Sequence, residues 1–234
     1  EVKRIFIQFL PRRSCASAKK PSLLYFSVLF LSTFSNLEFD GIMTFTCTML
    51  GRMPVALKIG AVSLGCNKNL VDTESALGLL RDRGYQFTPD PAQADVLLVN
   101  TCGFIKDAKT QSIEAIFDLS RIKTEGKKLI VTGCLSQRYA AELQKEMPEV
   151  DAFLGVNNYE DLPDIVLGRT SENCLADKAG PKYRETGGRV LSTVPWTRSI
   201  KIAEGCSNVC SYCIIPFIRG RYRSREESSI IEEA

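Results

Sequence analysis

The chain has 234 residues, enough for one or two domains with a sizeable core. Thirty Lys and Arg against 27 Asp and Glu leave a net charge of +3, which excludes a chain-wide nucleic-acid signature and confines any such contact to a local patch. Nine cysteines, an odd count with no histidine in the chain, fit metal or cluster ligation in a reducing, cytoplasmic compartment better than a disulfide framework.

Residue 1 is Glu, and residues 1–52 lack a helical or strand period. Leu23 to Phe34 is a 12-residue apolar run behind Arg12, Arg13, Lys19 and Lys20. It is too short for a membrane span, which needs about 20 apolar residues. A basic flank and apolar centre match a targeting peptide, but no clean cleavage site follows. The segment is therefore expected to be a non-native or disordered extension, with the start at Met53 or Met43. Cys15 and Cys47 lie in it and receive no role.

From Leu57 the pattern becomes regular. Leu57 to Ser63, Asp95 to Asn100, Lys128 to Thr132 and Asp151 to Leu154 are apolar runs of strand length. Between them, Asn69 to Arg83, Asp107 to Lys123 and Ser136 to Met147 are helical in period, and Tyr159 to Leu167 follows the last strand. The expected inward stripes are Leu70, Leu77 and Leu80 on the first helix and Ile113, Ile116, Phe117 and Leu119 on the second. Alternating apolar strands and amphipathic helices predict an α/β fold, a parallel sheet of the Rossmann or flavodoxin-like kind, over residues 57–168.

Cys66, Cys102 and Cys134 each follow one of the first three strands, separated by 35 and 31 intervening residues. In a parallel sheet these turns line one edge, where ligands bind. Gly65, Gly103 and Gly133 beside them allow close backbone approach. The plain alternative is three ordinary buried thiols, and their equivalent positions argue against it. No glycine-rich phosphate motif follows the first strand, and Lys68 reads as a solvated side chain.

Residues 169–198 read as a linker with one short strand at Arg189 to Val194; Cys174 is an incidental thiol there, and Trp196 is expected to pack on a domain face. Residues 199–234 open a second unit, with a strand at Ser199 to Ala203 followed by Cys206, Cys210 and Cys213 in C-x3-C-x2-C spacing. A closed zinc site wants four Cys or His ligands. Three thiolates on an iron–sulfur cube leave one iron open to bind a small molecule, which is the sharper reading. Tyr212 flanks an adenine, shields a cluster, or simply packs. Arg219, Arg221, Arg223 and Arg225 alternate, which on a strand puts all four on one face.

C-x3-C-x2-C with Tyr212 before the last Cys resembles the radical S-adenosylmethionine enzymes. Three strand-end cysteines placed ahead of it resemble the methylthiotransferases, and SLGCNKNLVDTE (Ser63 to Glu74), VNTCGFI and VTGCLSQR are similar to the branch that modifies a ribosomal protein. Asn67 stands where that family often has Pro. The arginine run resembles a family segment at Arg219, Gly220, Ser224 and Arg225. The resemblance covers residues 57–234 and implies the start of a partial TIM-type barrel, truncated after its first unit, so the chain alone is expected to be inactive. It implies two 4Fe–4S clusters, one on Cys66, Cys102 and Cys134 and one on Cys206, Cys210 and Cys213, with S-adenosyl-L-methionine as cosubstrate and Tyr212 beside it. The implied reaction puts a methylthio group on an aspartate β-carbon of the twelfth small-subunit ribosomal protein through a 5′-deoxyadenosyl radical, with the chain contributing ligation, positioning and exclusion of water. Implied partners are that substrate and an electron donor protein, with no membrane; RNA contact would fall to a C-terminal domain outside these residues. Two other readings remain: a tRNA adenosine methylthiotransferase, and a zinc-stabilised interaction module with no enzymatic activity.

Overall fold

Short apolar runs rich in Val, Ile and Leu become the central strands, because both of their faces are covered. The computed structural model describes residues 57–169 and 188–234, with the backbone of 5–6 and 174–175. In chain order the first half contains β1 (Ile5–Phe6), β2 (Lys58–Ser63), α1 (Asn67–Asp82), β3 (Gln86–Phe87), β4 (Val96–Thr101), α2 (Lys106–Ile122), β5 (Lys128–Gly133) and α3 (Cys134–Glu146). Then come β6 (Ala152–Leu154), α4 (Leu162–Val166), β7 (Cys174–Leu175), β8 (Ala203–Glu204), α5 (Ile215–Arg219), β9 (Arg223–Ser224) and α6 (Glu227–Glu233).

The parallel strands run in the order β3-β2-β4-β5-β6-β7, and β1 pairs antiparallel with β2 beyond β3. Counting β2 as first, the order of the first five is 2-1-3-4-5, the flavodoxin-like arrangement. The chain leaves β2, runs through α1 to β3 on one side, then crosses to β4 on the other. Between β2 and β4 the winding reverses, and the edge above that point opens to ligands.

Period-2 alternation divides the core. Leu97, Val99, Leu129 and Val131 face one layer with Ala115, Ile116 and Leu119 of α2 and Ala140 and Leu143 of α3. Val96, Leu98 and Ile130 face the other, with Ala76, Leu77 and Leu80 of α1 and Ile165 and Val166 of α4. The α/β parallel sheet expected from the sequence is therefore present. Among the described residues, no helix is long and apolar enough to cross a membrane.

Four local expectations change. Phe117 faces outward, because the buried stripe of α2 runs through Ser112, Ala115, Ile116 and Leu119, one helical position away. Arg189 to Val194 is no strand: the Val190 N–H donates to the Glu74 carbonyl, and the Ser192 N–H and hydroxyl donate to the Glu74 carboxylate. These bonds tie the segment along α1 instead of to a sheet edge. Trp196 is 82 % exposed rather than packed. The strand before the second cysteine loop shortens to Ala203–Glu204 and pairs antiparallel with β9. Cys15 and Cys47, and the side chain of Cys174, lie outside the described residues.

Candidate functional site: two cysteine triplets joined by a buried charge network

Three adjacent parallel strands end level with one another. Ser63 of β2 pairs with Asn100 of β4, and Thr101 pairs with Gly133 of β5. The next residues include the cysteines. Cys66 caps α1, Cys102 follows β4 directly, and Cys134 begins α3. Both helices start two residues earlier than their periodicity predicts, so Cys66 and Cys134 stand at helix N-termini. All six described cysteines are free thiols.

The turns touch one another, and glycine makes this possible. A Cβ on Gly65 would lie 2.8 Å from Cys102 Cβ and 3.2 Å from its Sγ. A Cβ on Gly103 would lie 2.8 Å from the Cys134 carbonyl oxygen. Gly133 has φ +99° and is walled by Asn100 and Thr101, so only glycine fits at this last position of β5, next to Cys134. The first turn thus abuts Cys102, and the second abuts Cys134.

Asn69, fully buried on α1, ties the three together. Its amide donates to the Leu64 carbonyl at 2.9 Å and the Thr101 carbonyl at 3.0 Å, the exits toward Cys66 and Cys102. Its Oδ1 accepts from the Cys134 thiol at 3.5 Å. Ser112 of α2 holds Cys102 by its backbone, accepting from the N–H at 3.0 Å and donating to the carbonyl at 3.3 Å. Burial pushes the Cys134 thiol up to about 11, against the opposing pull of Arg219.

The second triplet is built locally. The Cys206 N–H donates to the Gly220 carbonyl at 3.0 Å, the Cys213 N–H to the Cys210 carbonyl at 3.1 Å, and the Tyr222 N–H to the Ser207 hydroxyl at 3.1 Å. Gly205, at φ +74°, is packed against Gly220 and Arg221. These contacts close the loop at its base and leave Val209 and Tyr212 at 95 % and 86 % exposure. The Tyr212 ring is therefore solvent-facing rather than packed.

A charge network lies between the triplets. Asp72 of α1 receives Lys201 Nζ at 2.7 Å and Arg219 Nη1 at 2.9 Å, and Glu204 receives the same two groups at 2.8 and 3.1 Å. Lys68 donates to the Ala203 carbonyl at 3.0 Å and pairs with Glu204, so it is not merely solvated. Burial disfavours the Glu204 charge, yet Arg219, Lys201 and Lys68 together pull its carboxyl down to about 2. The arginine run is not a one-faced strand: Arg219 ends α5 and is buried, Gly220 turns at φ +74°, Arg221 and Arg223 are exposed, and Arg225 pairs with Glu233. Alternation along a sequence presents one face only if the backbone stays extended, and Gly220 breaks it.

Among the described residues, no three Cys, Asp or Glu side chains converge as ligands of one metal ion. A cube of four irons distributes its thiolates over separate irons, so it suits turns that touch while their thiols stay apart. The donor set fits: three free thiols, glycine-walled backbone, and a fully buried Ser136 hydroxyl with no partner among the described residues two positions beyond Cys134.

Residues 58–155 match the model of uncharacterized protein family UPF0004. The match covers β2 to β6, and with them Cys66, Cys102 and Cys134. The chain is also 48 % identical over 183 residues to the ribosomal protein uS12 methylthiotransferase RimO of Caldicellulosiruptor saccharolyticus, covering 76 % of this chain and 42 % of that protein. The RimO of Clostridium tetani is 48 % identical over 182 residues, 76 % of this chain and 40 % of its own length. That of Clostridioides difficile is 46 % identical over 182 residues, 76 % and 41 %. The chain spans about two fifths of the length of these relatives. The resemblance carried by the cysteine motifs therefore holds: the chain is similar to ribosomal-protein methylthiotransferases over about three quarters of its length.

Proposed function

We propose that this chain carries the sulfur-ligand framework of a methylthiotransferase acting on ribosomal protein uS12, at the β-carbon of an aspartate. The observation that supports this best is the meeting of three cysteine turns at the winding reversal of the sheet. Cys66, Cys102 and Cys134 would hold one 4Fe–4S cluster, and Cys206, Cys210 and Cys213 a second, with S-adenosyl-L-methionine beside Tyr212. When bound, these groups supply one-electron chemistry at an unactivated carbon and a carrier for the transferred sulfur.

The chain's own residues position and shield. Asn69 and Ser112 hold the backbone at the ligand turns. Ile218, Val156 and Ile214 cover Cys134 with apolar surface and keep water from it. The exposed Val209, Tyr212 and Phe217 leave the second loop accessible to cosubstrate, to uS12 and to an electron donor protein. A reducing, cytoplasmic setting suits six free thiols.

Anaerobic reconstitution of this chain tests the reading. About eight irons and as many sulfides should bind per chain, falling to about four in Cys102→Ala and in Cys210→Ala. Stoichiometric zinc without sulfide would overturn it in favour of an interaction module. With the full-length protein, methylthiolation of tRNA and none of uS12 would move the assignment to the tRNA-modifying branch.

A further inference from the structure

Arg219 belongs by sequence to the second cysteine loop, six positions beyond Cys213, yet its side chain lies at the first triplet. The helix α5 makes the connection. It leaves the loop directly, seats Ile218 on Cys134 and Val156, and ends on Arg219, which is only 2 % exposed. The guanidinium fork divides its work. Nη1 reaches Asp72 and Glu204, while Nη2 donates to Asn69 Oδ1 at 2.7 Å and to Cys134 Sγ at 3.6 Å. Lys201 already binds the same two carboxylates, so a structural cation is present without Arg219. Arg219 adds a contact to the sulfur itself.

We infer that Arg219 is a positioning residue of the first cysteine site, holding a fixed positive charge against the Cys134 sulfur and so raising the reduction potential of the cluster bound there. This rests on the reading that Cys66, Cys102 and Cys134 hold such a cluster. Reduction adds negative charge to the cluster and its thiolates. A buried guanidinium in hydrogen-bond contact with a ligand sulfur favours that added charge, and more strongly in a low-dielectric interior than in water. The planar fork lets one residue serve the carboxylates and the sulfur together, which a lysine's point charge does less well. Because α5 begins two residues after Cys213, the same arginine ties the electrostatics of the first site to the position of the second loop.

The test uses this chain with Cys206, Cys210 and Cys213 replaced by Ala, so that only the first site loads. Its midpoint potential is read by a dithionite titration followed by electron paramagnetic resonance. Arg219→Gln should bind the same iron per chain as the parent and shift the midpoint to a more negative value. Arg219→Lys, which keeps the charge, should return it toward the parent. An unchanged midpoint in Arg219→Gln, or equal midpoints in the Gln and Lys variants, would overturn the inference. Should Arg219→Gln fail to load, Asp72→Asn supplies the opposite arm: removal of a negative charge beside the guanidinium should raise the midpoint, and no change or a fall would overturn the inference. A parent chain that binds no cluster defeats the proposed function itself, independently of Arg219.

Discussion

The two cysteine triplets are assembled by opposite routes. Cys206, Cys210 and Cys213 lie within eight residues, and a few local hydrogen bonds to Gly220 and Tyr222 shape their loop. Cys66, Cys102 and Cys134 are distant in sequence and meet only because three strands pair in register. The first triplet depends on the whole sheet and on buried polar ties. The second depends on its loop and on what docks against it.

Substitutions that damage one route and spare the other sharpen this contrast. The largest effect is expected from Asp72→Ala, which leaves Lys201 and Arg219 buried without one of their two shared carboxylates. Removing one partner from such a network costs about 3–5 kcal/mol, read as a lower urea midpoint; a loss under about 1 kcal/mol would show that water compensates these charges. Leu98→Ala, in the sheet beneath the first triplet, should cost about 2–5 kcal/mol in the same assay. Asn69→Ala leaves the Leu64 and Thr101 carbonyls short of a donor and should cost about 1–3 kcal/mol. Its more telling outcome is selective loss of first-triplet iron after reconstitution, with the second triplet still loaded; equal loss at both sites would break the distinction. Val209→Ala, on the exposed loop, should change stability by no more than about 0.5 kcal/mol. Tyr212→Ala should be as mild in urea, while weakening S-adenosyl-L-methionine binding to the reconstituted chain in calorimetry.

Much of the sheet was legible because Val-, Ile- and Leu-rich runs alternate with helical periods, and the strand-end placement of Cys66, Cys102 and Cys134 followed from that alternation. The ties between the triplets were not legible. Asn69, Asp72, Thr73 and Glu74 look like the solvent face of α1, yet all four are buried because other segments bring partners to them. Asp72 faces cations from 129 and 147 positions away, distances over which no local pattern operates. The arginine run misled for a related reason: a single turn at Gly220 separates Arg219, which is buried, from Arg221 and Arg223, which are solvated. One signal was available, since a polar Asn three residues after a cysteine at a helix start is well placed to return a hydrogen bond to the turn that precedes it.

The shortness of α5 limits how this stretch of chain can vary in length. Each helical residue turns the backbone by about 100°, so inserting or deleting one position between Cys213 and Arg219 would swing the guanidinium off both Cys134 and Asp72 at once. The turns at Gly84 and Gly126, where an added Cβ would meet no atom within 4 Å, carry no such restriction, and a change of length there should disturb neither triplet.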